Sequence, residues 1–311
     1  MSFAINVKNE ITKYEGTKTE NIALLSGFVR NNGTVTKEKI ELITENSSIA
    51  KRIYQLFKDI YNIQAEINTI KNTNLSKKSL YHIEITEQTN KILADLSIYE
   101  DDNYLEIPMD YIVSEEEEQR CYLMGAFLSK GSINDPKTAR YHLEFLIENK
   151  KEAEFIKDLL NNFNLNSKVL SRDKGYMVYI KEAEKIGDFL RIVYASNAVM
   201  YYEDIRIYRD HKNMTNRLNN MEQANVDKII LTAKKQVEDI NLILEIGGMD
   251  LLEEKEQLIA KYRLKYPEAS LLELSEIISY ETDKAISKSG VNHRMKKIQN
   301  LAEKIREKET N

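Results

Sequence analysis

The stretch LSGFVRNNGTV, from Leu25 to Val35, is followed 98 residues later by LMGAFLSKGSI, from Leu123 to Ile133. Both segments have a glycine in third position, end in Gly followed by Ser or Thr, and close on a β-branched residue. We expect two helices that pack together, because small residues let two backbones approach closely. The small residues that would form this contact are Ser26, Gly27, Gly125 and Ala126.

The similarity between the two segments extends downstream. TENSSIAKRIYQLF from Thr44 resembles IENKKEAEFIKDLL from Ile147, and each predicts a strand end leading into an amphipathic helix. The β-rich runs YHIEI from Tyr81 and YMVYI from Tyr176 follow the turn-like stretches NLSKKS and SRDKG. Each half therefore predicts the order helix, strand, strand, helix, strand, strand, helix. Two unrelated amphipathic helices would explain one match, but three matches in the same order favour an α+β domain with two related halves.

An acidic run, SEEEEQR from Ser114 to Arg120, lies between the two halves. Its glutamates allow two interpretations, a metal-binding cluster or the start of a helix. Ser114 followed by Glu117 has the spacing of a capping box, and acidic side chains suit the positive end of a helix dipole. The sequence favours the second interpretation.

Composition limits the class of protein. The 311 residues suffice for about two domains, and 42% hydrophobic residues allow each domain a core. The apolar runs are far shorter than the roughly 20 residues that a bilayer span needs, and no signal peptide is recognisable. A single cysteine, Cys121, excludes an internal disulfide, and the four histidines lack zinc-ligand spacing. We expect a cytoplasmic protein with no cofactor, no metal, no membrane partner and no small-molecule substrate.

The last third of the chain predicts a series of helices. Residues 210–222 are rich in Asn and basic residues without apolar periodicity, which indicates a linker. Three helical segments follow. The first runs from Gln223 to Ile246 and ends at a Gly pair, and the second runs from about Leu252 to Tyr266 and ends at a Pro. The third runs from Ser270, which caps it, to Ile278. The polar loop SYETDKAI, from Ser279 to Ile286, then leads to the last helix.

The last helix combines an apolar stripe with a basic polar face. Apolar residues recur at spacings of 4, 3, 4 and 3, which places them on one inward face: Val291, Met295, Ile298, Ala302 and Ile305. From Lys284 to Lys308 eight residues are basic and two are acidic, a local balance of +6 in a chain of net charge -5. Its N-terminal half resembles a recognition helix, in which Asn pairs with adenine and Lys or Arg with guanine or phosphate. The candidate DNA-binding residues are Lys288, Ser289, Asn292, His293, Arg294, Lys296 and Lys297.

A solvated amphipathic helix is the alternative interpretation of this face, since lysine-rich helices are common. The short Ser-capped helix that precedes it, and the presence of Asn rather than Glu beside the lysines, favour a helix-turn-helix. The eight-residue loop counts against one, because the usual turn has 3–4 residues.

Three segments resemble the WhiA family of bacterial DNA-binding proteins: KNMTNRLNNMEQANVDK from Lys212, YPEASLLELSE from Tyr266 and, above all, ISKSGVNHRMKKI from Ile286. The opening MSFA and both motif helices fit too, so the resemblance covers essentially the whole chain. It implies a LAGLIDADG homing-endonuclease-like domain, a C-terminal helix-turn-helix resembling region 4 of sigma factors, and no nuclease activity. It also implies roles in cell division, chromosome segregation and, in sporulating bacteria, sporulation.

The combined interpretation is a pseudo-twofold α+β domain of two αββαββα halves, followed by an all-α helix-turn-helix domain. The boundaries are 1–209 for the first domain, with halves of about 1–105 and 115–209, then 210–222 for the linker and 223–311 for the second domain. Four linker residues match the family and have two interpretations, phosphate contacts or a structural tether, of which the tether is favoured: Lys212, Asn213, Asn216 and Arg217.

The signature positions argue against DNA hydrolysis. In LAGLIDADG nucleases the acidic residue before the final Gly binds divalent metals, and here Asn32 and Lys130 stand at that position. Asn offers no charge to a hard cation, and a Lys ammonium repels one. The sixth position is Arg30 in one motif and Leu128 in the other. Asp135 lies beyond the second motif, and one displaced carboxylate does not rebuild a two-metal site.

Three functions follow from these patterns. The first, which the sequence favours, is a non-enzymatic regulator or chromosome-associated protein that binds double-stranded DNA and lies at the nucleoid. The second is a residual nuclease or maturase. The third is a scaffold whose first domain recruits another protein. Basic strand residues would let the first domain bind DNA, but they fit a solvated face equally well: Lys37, Lys39, Arg140, Lys168 and Arg172.

Overall fold

A computed structural model describes residues 2–71, 79–101 and 103–309. The chain divides into two compact units, Met1–Arg209 and Asp210–Asn311. The predicted turn NLSKKS lies largely outside the described residues. Among the helices of the described ranges, none has the length and apolarity to cross a membrane.

The first unit contains the predicted repeat. α1 (Phe3–Ile11) precedes it. The first half comprises α2 (Lys18–Asn32), β1 (Thr34–Val35), β2 (Ile40–Thr44), α3 (Ser47–Tyr61), β3 (Glu66–Lys71), β4 (Ser79–Ile85) and α4 (Thr89–Asp95). A hairpin of β5 (Tyr99–Glu100) and β6 (Asn103–Tyr104) and a 3-10 turn (Asp110–Ile112) connect the halves. The second half comprises α5 (Glu116–Lys130), β7 (Gly131–Ile133), β8 (Leu143–Ile147), α6 (Lys150–Asn162), β9 (Lys168–Arg172), β10 (Gly175–Ile180) and α7 (Ala183–Ile192).

The two halves correspond in sheet topology and in helix capping. Both sheets are antiparallel, with strand orders β1-β2-β4-β3 and β7-β8-β10-β9. Asn46 caps α3 and Asn149 caps α6, and each side-chain oxygen accepts hydrogen bonds from two backbone N–H groups. The predicted order of elements in each half, and the α+β class, are confirmed.

The central contact of the first unit is between α2 and α5. A Cβ atom on Gly27 would collide with the carbonyl oxygen of Tyr122, and one on Gly125 would collide with that of Leu24. Glycine is therefore required at both positions, because backbone meets backbone there. The predicted packing along small residues is confirmed.

The regular secondary structure of the second unit, within its described residues, consists of helices. It contains the C-terminal part of α8 (Ser196–Gly247), a 3-10 turn (Met249–Leu251), α9 (Glu254–Lys265), α10 (Leu271–Thr282) and α11 (Lys288–Glu309). α8 ends where Gly248 takes a φ of 75°, a conformation that favours glycine. The core of the unit is formed by one face of each helix, including Ile240 and Ile243 of α8, Ile259 of α9 and Leu274 of α10.

Three local predictions are corrected. Residues 210–222, predicted as a linker, are helical and lie within α8, since they contain neither Gly nor Pro to interrupt it. The loop before the last helix is shorter than predicted, because α10 continues to Thr282. The capping box of α5 joins Glu115 and Glu118, one residue later than predicted, and the Ser114 hydroxyl donates to the Glu118 carboxylate at 2.7 Å.

Candidate nucleic-acid interface

The two-helix element at the end of the chain is built by α10 and α11. A capping box starts α10: the Ser270 hydroxyl accepts from Glu273 N at 3.2 Å, and Ser270 N donates to the Glu273 carboxylate at 2.7 Å. The turn is fixed by Ser279, whose hydroxyl accepts from Ile286 N at 3.0 Å. Five residues, 283–287, separate the helices, which is close to the usual turn of a helix-turn-helix.

The predicted apolar stripe orients α11. Val291, Met295, Ile298 and Ala302 are fully buried in the core of the second unit, and Ile305 packs beside them. Because these positions recur at helical spacing, the opposite side of the helix must face away from the core. The stripe is therefore confirmed, and it fixes which side chains α11 presents.

A row of polar side chains lies on the side of α11 opposite the stripe. It comprises Ser289, Asn292, His293, Lys296 and Asn300. Asn292 is half-buried and the other four are exposed. Within the described ranges, none of these side chains makes a hydrogen bond or an ion pair with another residue. Their donors and acceptors are thus available to base edges and phosphates. Asn300 was missed in the sequence, although it extends the spacing by one turn from Lys296.

The remaining candidates flank this row. Lys288 is exposed at the first turn. Arg294 is half-buried and lines a cavity beside α9. Lys297 has its Nζ atom 3.3 Å from carboxylate oxygens of both Glu253 and Glu256. The structure thus groups four candidates on one face: Ser289, Asn292, His293 and Lys296. Lys297 does not belong to this group, because its ammonium is paired with two glutamates of the same unit.

An ion pair between a partly exposed arginine and a buried aspartate holds the C-terminal half of α11 against α8. Arg306 Nη2 lies 2.6 Å from the Asp239 carboxylate of α8, and the Asp239 side chain is 1% exposed. The sequence places Arg306 in the basic patch, whereas the structure gives it a partner in the fold. The signal that sequence reasoning missed is Asp239, which lies between the buried residues Gln236 and Ile240 on the inward face of α8. A buried carboxylate needs a cationic partner.

The four candidate residues of the predicted linker lie on exposed turns of α8. Lys212, Asn213, Asn216 and Arg217 are exposed and spaced so that pairs four residues apart are neighbours on the helix surface. None of them has a side-chain partner in the part of the chain that the structure describes. Their assignment as phosphate contacts or as a tether stays a prediction.

The signature positions of the two motifs are the last residues of α2 and α5. The Asn32 amide forms a paired contact with β2: Nδ2 donates to Ile43 O, and Oδ1 accepts from Ile43 N, both at 2.9 Å. Lys130 Nζ lies 3.5 Å from Glu148 Oε1 on an exposed surface. The nuclease signature has carboxylates at these two positions. Here one position holds the Asn32 amide, which is hydrogen-bonded to the backbone of β2, and the other holds the Lys130 ammonium.

Arg30, at the sixth motif position, belongs to a buried network. Its guanidinium donates to Leu105 O and to Ser97 O, the latter at 2.5 Å, and its Nε lies 3.9 Å from the Glu152 carboxylate. The Arg30 and Glu152 side chains are 1% and 2% exposed. Tyr122 donates its hydroxyl to Glu152 at 2.6 Å, and burial raises the pKa of both groups. The network joins the two halves.

Two glutamates and a histidine form a cluster on the first sheet. Glu41, His82 and Glu84 lie side by side on β2 and β4, with ligand atoms within 4.8 Å of one another. Lys39 Nζ contacts Glu41 at 2.7 Å and lies 3.8 Å from Glu84. The charge of Lys39, one of the basic strand residues predicted to allow DNA binding, is thus neutralised by two neighbouring glutamates. Arg140, Lys168 and Arg172 are exposed.

Comparison with known proteins supports both parts of the chain. Family profiles match over residues 18–99 (WhiA N-terminal LAGLIDADG-like domain), 119–212 (WhiA LAGLIDADG-like domain) and 215–302 (WhiA C-terminal HTH domain). The chain is 43% identical over 315 residues to "Probable cell division protein WhiA" of Bacillus cytotoxicus, covering 100% of this chain and 99% of the relative. It is also 43% identical over 312 residues to the Enterococcus faecalis protein of the same name, covering 99% of each.

A solved structure shares the fold along nearly the whole chain. The crystal structure of full-length DUF199/WhiA from Thermatoga maritima matches with a TM-score of 0.58 and 22% identity, covering 98% of this chain and 99% of that one. The two halves therefore form a LAGLIDADG-like domain, and the last helices form a helix-turn-helix domain. On the strength of its profile matches and its full-length relatives, the chain belongs to the WhiA family.

Proposed function

We propose that this chain is a non-enzymatic protein that binds double-stranded DNA through α11 and acts at the chromosome during cell division. The observation that carries the proposal is the polar row from Ser289 to Asn300, of which four members are exposed and Asn292 is half-buried, and whose side chains have no partner among the residues that the structure describes. A helix that is anchored by a buried apolar stripe and presents polar side chains on its opposite side suits a recognition helix in the major groove. The relatives' name, "Probable cell division protein WhiA", supports the cellular role.

Charge distribution also supports α11 as the main contact. Eight basic and two acidic residues lie between Lys284 and Lys308, whereas the whole chain has a net charge of -5. The first sheet presents Glu41 and Glu84 outward, with Lys39 paired to both. A polyanion is attracted by the excess of basic residues in the last helix.

The absence of catalysis is proposed from the chemistry of the motif ends. Asn32 and Lys130 supply no anionic ligand, and the amide of Asn32 is occupied by β2. Two-metal hydrolysis requires carboxylates that hold both cations. Incubating the protein with supercoiled plasmid and Mg²⁺ or Mn²⁺ should leave the plasmid intact. Metal-dependent nicking that follows the protein through purification would refute the non-enzymatic assignment.

The experiment for DNA binding compares two double variants of the full-length protein. Asn292→Ala with Lys296→Ala removes a base contact and a cation, and should weaken binding to a duplex selected by the wild-type protein by roughly 100-fold. Lys235→Ala with Asn241→Ala removes the same side-chain types from exposed positions of α8 and should change affinity little. Fluorescence anisotropy over a series of salt concentrations measures both.

The salt series adds a second criterion. The dependence of log affinity on log salt should become shallower by about one for the α11 variant, because one phosphate contact is lost. Equal affinity of the wild type and the α11 variant, with both folded by circular dichroism, would contradict α11 as the contact.

A further inference from the structure

Residues 210–232 of α8 are helical, and every one of them is exposed. The segment is about 35 Å long at 1.5 Å per residue. Five of its residues are asparagine, which is among the weaker helix formers. A helix in a protein owes most of its stability to packing rather than to propensity. Because no part of the described chain covers this segment, its helical form indicates a partner outside the chain.

One side of the segment carries the pattern of a coiled-coil seam. Six residues recur at spacings of 4, 3, 4, 3 and 4, which is the heptad spacing of a helix that packs against a second helix. We call them the seam: Ile207, His211, Met214, Leu218, Met221 and Asn225. The four apolar members are between 46% and 62% exposed. Large apolar side chains aligned on one side of a bare helix mark an interaction surface.

The side of α8 that carries the seam is buried further along the helix. Eighteen residues make five helical turns, so Gln236 lies on the same side as Leu218, and Ile243 lies on the same side as Asn225. Gln236 and Ile243 are 3% and 0% exposed, and Ile243 belongs to the core that α9, α10 and α11 complete. The same side of one helix is therefore covered beyond Ala233 and uncovered before it.

The charges of the segment favour a second copy of the chain over DNA as the partner. Residues 210–232 contain three basic and three acidic side chains: Lys212, Arg217, Lys228, Asp210, Glu222 and Asp227. A segment with no net charge has no general attraction for a polyanion. Asp210 and Arg217 lie seven residues apart on one edge of the seam, and neither has an ion-pair partner in the described ranges. Two copies that run in opposite directions bring each Asp210 to the other's Arg217.

We propose that the seam binds the seam of a second copy of this chain in an antiparallel coiled coil. The twofold axis passes between His211 and Met214. His211 then packs on the partner's Met214, and Leu218 packs on the partner's Ile207. Because a twofold contact is self-complementary, the assembly closes as a dimer.

The direction of the partner follows from the buried continuation of the seam side. A parallel partner would run into α9, α10 and α11, which occupy that side beyond Ala233. An antiparallel partner ends before them, since its α8 begins at Ser196, which comes opposite Ile229 in this register.

The size of the contact predicts a weak dimer. Pairing over about 30 Å of helix buries on the order of 1,000 Å², which is at the lower limit for a specific interface. We therefore expect a dissociation constant in the micromolar range. Dimer formation does not rest on the proposed function, and its test contains no DNA.

Sedimentation equilibrium of the full-length protein, from about 1 to 100 μM, measures the assembly. The mass of the wild type should rise from 36.2 kDa towards twice that value. Leu218→Glu places a carboxylate in the seam and should raise the dissociation constant by roughly tenfold or more. Leu231→Glu changes a leucine that is 68% exposed and lies outside the seam, and it should leave the constant unchanged. Both positions are on the surface, so circular dichroism should show both variants folded.

A charge exchange tests the direction of pairing. Asp210→Arg faces the partner's Arg217 with a like charge and should weaken the dimer, whereas adding Arg217→Asp should restore it. In a parallel pair Arg217 would instead face Glu222 of the partner subunit, and the double variant would not recover.

A wild type that keeps the monomer mass at the highest concentration overturns the proposal, and so does a Leu218→Glu variant that dimerises like the wild type. Failure of the double charge variant to recover overturns the antiparallel pairing. A monomeric wild type whose DNA affinity falls on Leu218→Glu would show that the seam faces DNA, which also overturns the dimer. A dimer that does not bind DNA would contradict the role of α11 and leave this inference intact.

Discussion

The ends of the two motif helices and the start of α11 present polar side chains in opposite ways. Asn32 and Arg30 both donate hydrogen bonds to backbone carbonyls, and Arg30 also forms an ion pair with the buried Glu152 at 3.9 Å. The row on α11 faces outward and has no partner in the described chain. Polar residues that satisfy each other hold a fold together, and polar residues left unsatisfied at a surface are available to a partner. At the end of the first motif, the residue that the nuclease signature would use as a metal ligand is Asn32, whose amide is instead hydrogen-bonded to the backbone of β2.

The largest effect should come from breaking the buried network of the first domain. Arg30→Ala leaves the Glu152 carboxylate 2% exposed without its cation, and should lower the free energy of unfolding by roughly 3–5 kcal/mol. Arg140→Ala, at an exposed position, should change it by less than about 0.5 kcal/mol. Urea denaturation of both variants measures the difference. Equal midpoints would show that Arg30 is not structural.

The next largest effect should come from replacing two glycines, Gly125 in the second motif helix and Gly290 at the start of α11. Gly125→Ala forces a methyl group into the Leu24 carbonyl and should destabilise the first domain by about 1–3 kcal/mol. Gly290→Ala places its Cβ no closer than 3.4 Å to its neighbours and should stabilise α11 by up to about 1 kcal/mol. Thermal melts should shift in opposite directions. A destabilising Gly290→Ala would mean that α11 needs backbone freedom at its first turn.

The repeat and the apolar stripe could be predicted because both are periodic in the sequence. A hydrophobic spacing of 4, 3, 4 and 3 fixes the buried side of α11, and hence the outward position of Asn292 and Lys296. The two glycines were recognisable because the same small residue recurs in both motifs.

Contacts between distant segments could not be predicted in the same way. Lys297 looks like Lys296 in the sequence, and only packing of α11 beside α9 brings it to Glu253 and Glu256. The Arg30 network joins residues more than 100 positions apart. None of these pairings has a local periodicity to reveal it.

A smaller effect should follow from restoring carboxylates at the motif ends. Asn32→Asp removes the donor to Ile43 O and should cost about 1–2 kcal/mol of stability. Combined with Lys130→Asp it should still not produce Mg²⁺-dependent nicking, because the Arg30 cation remains at the sixth position of the first motif. Denaturation and plasmid nicking measure the two outcomes. Cleavage by the double variant would show that the site lacks only its ligands.

The smallest effect should come from replacing two adjacent lysines of α11 one at a time and comparing the DNA affinities of the two variants. Lys296 is exposed without a partner in the described ranges, whereas Lys297 is held by two glutamates. Lys296→Ala should weaken DNA binding by about 1 kcal/mol and make the salt dependence shallower by about one. Lys297→Ala should change affinity less, because its ammonium must leave an ion pair before it can reach a phosphate.

The Lys297 variant should instead alter the fold slightly. Its pKa is raised by hydrogen bonds to Glu256 and Glu253, so the charged form stabilises the folded state. The exposed pair contributes little, since water and salt screen it. Anisotropy and thermal melts on both single variants separate the two roles. If Lys297→Ala weakens DNA binding as much as Lys296→Ala, then internal pairing does not distinguish structural from DNA-binding residues on this helix.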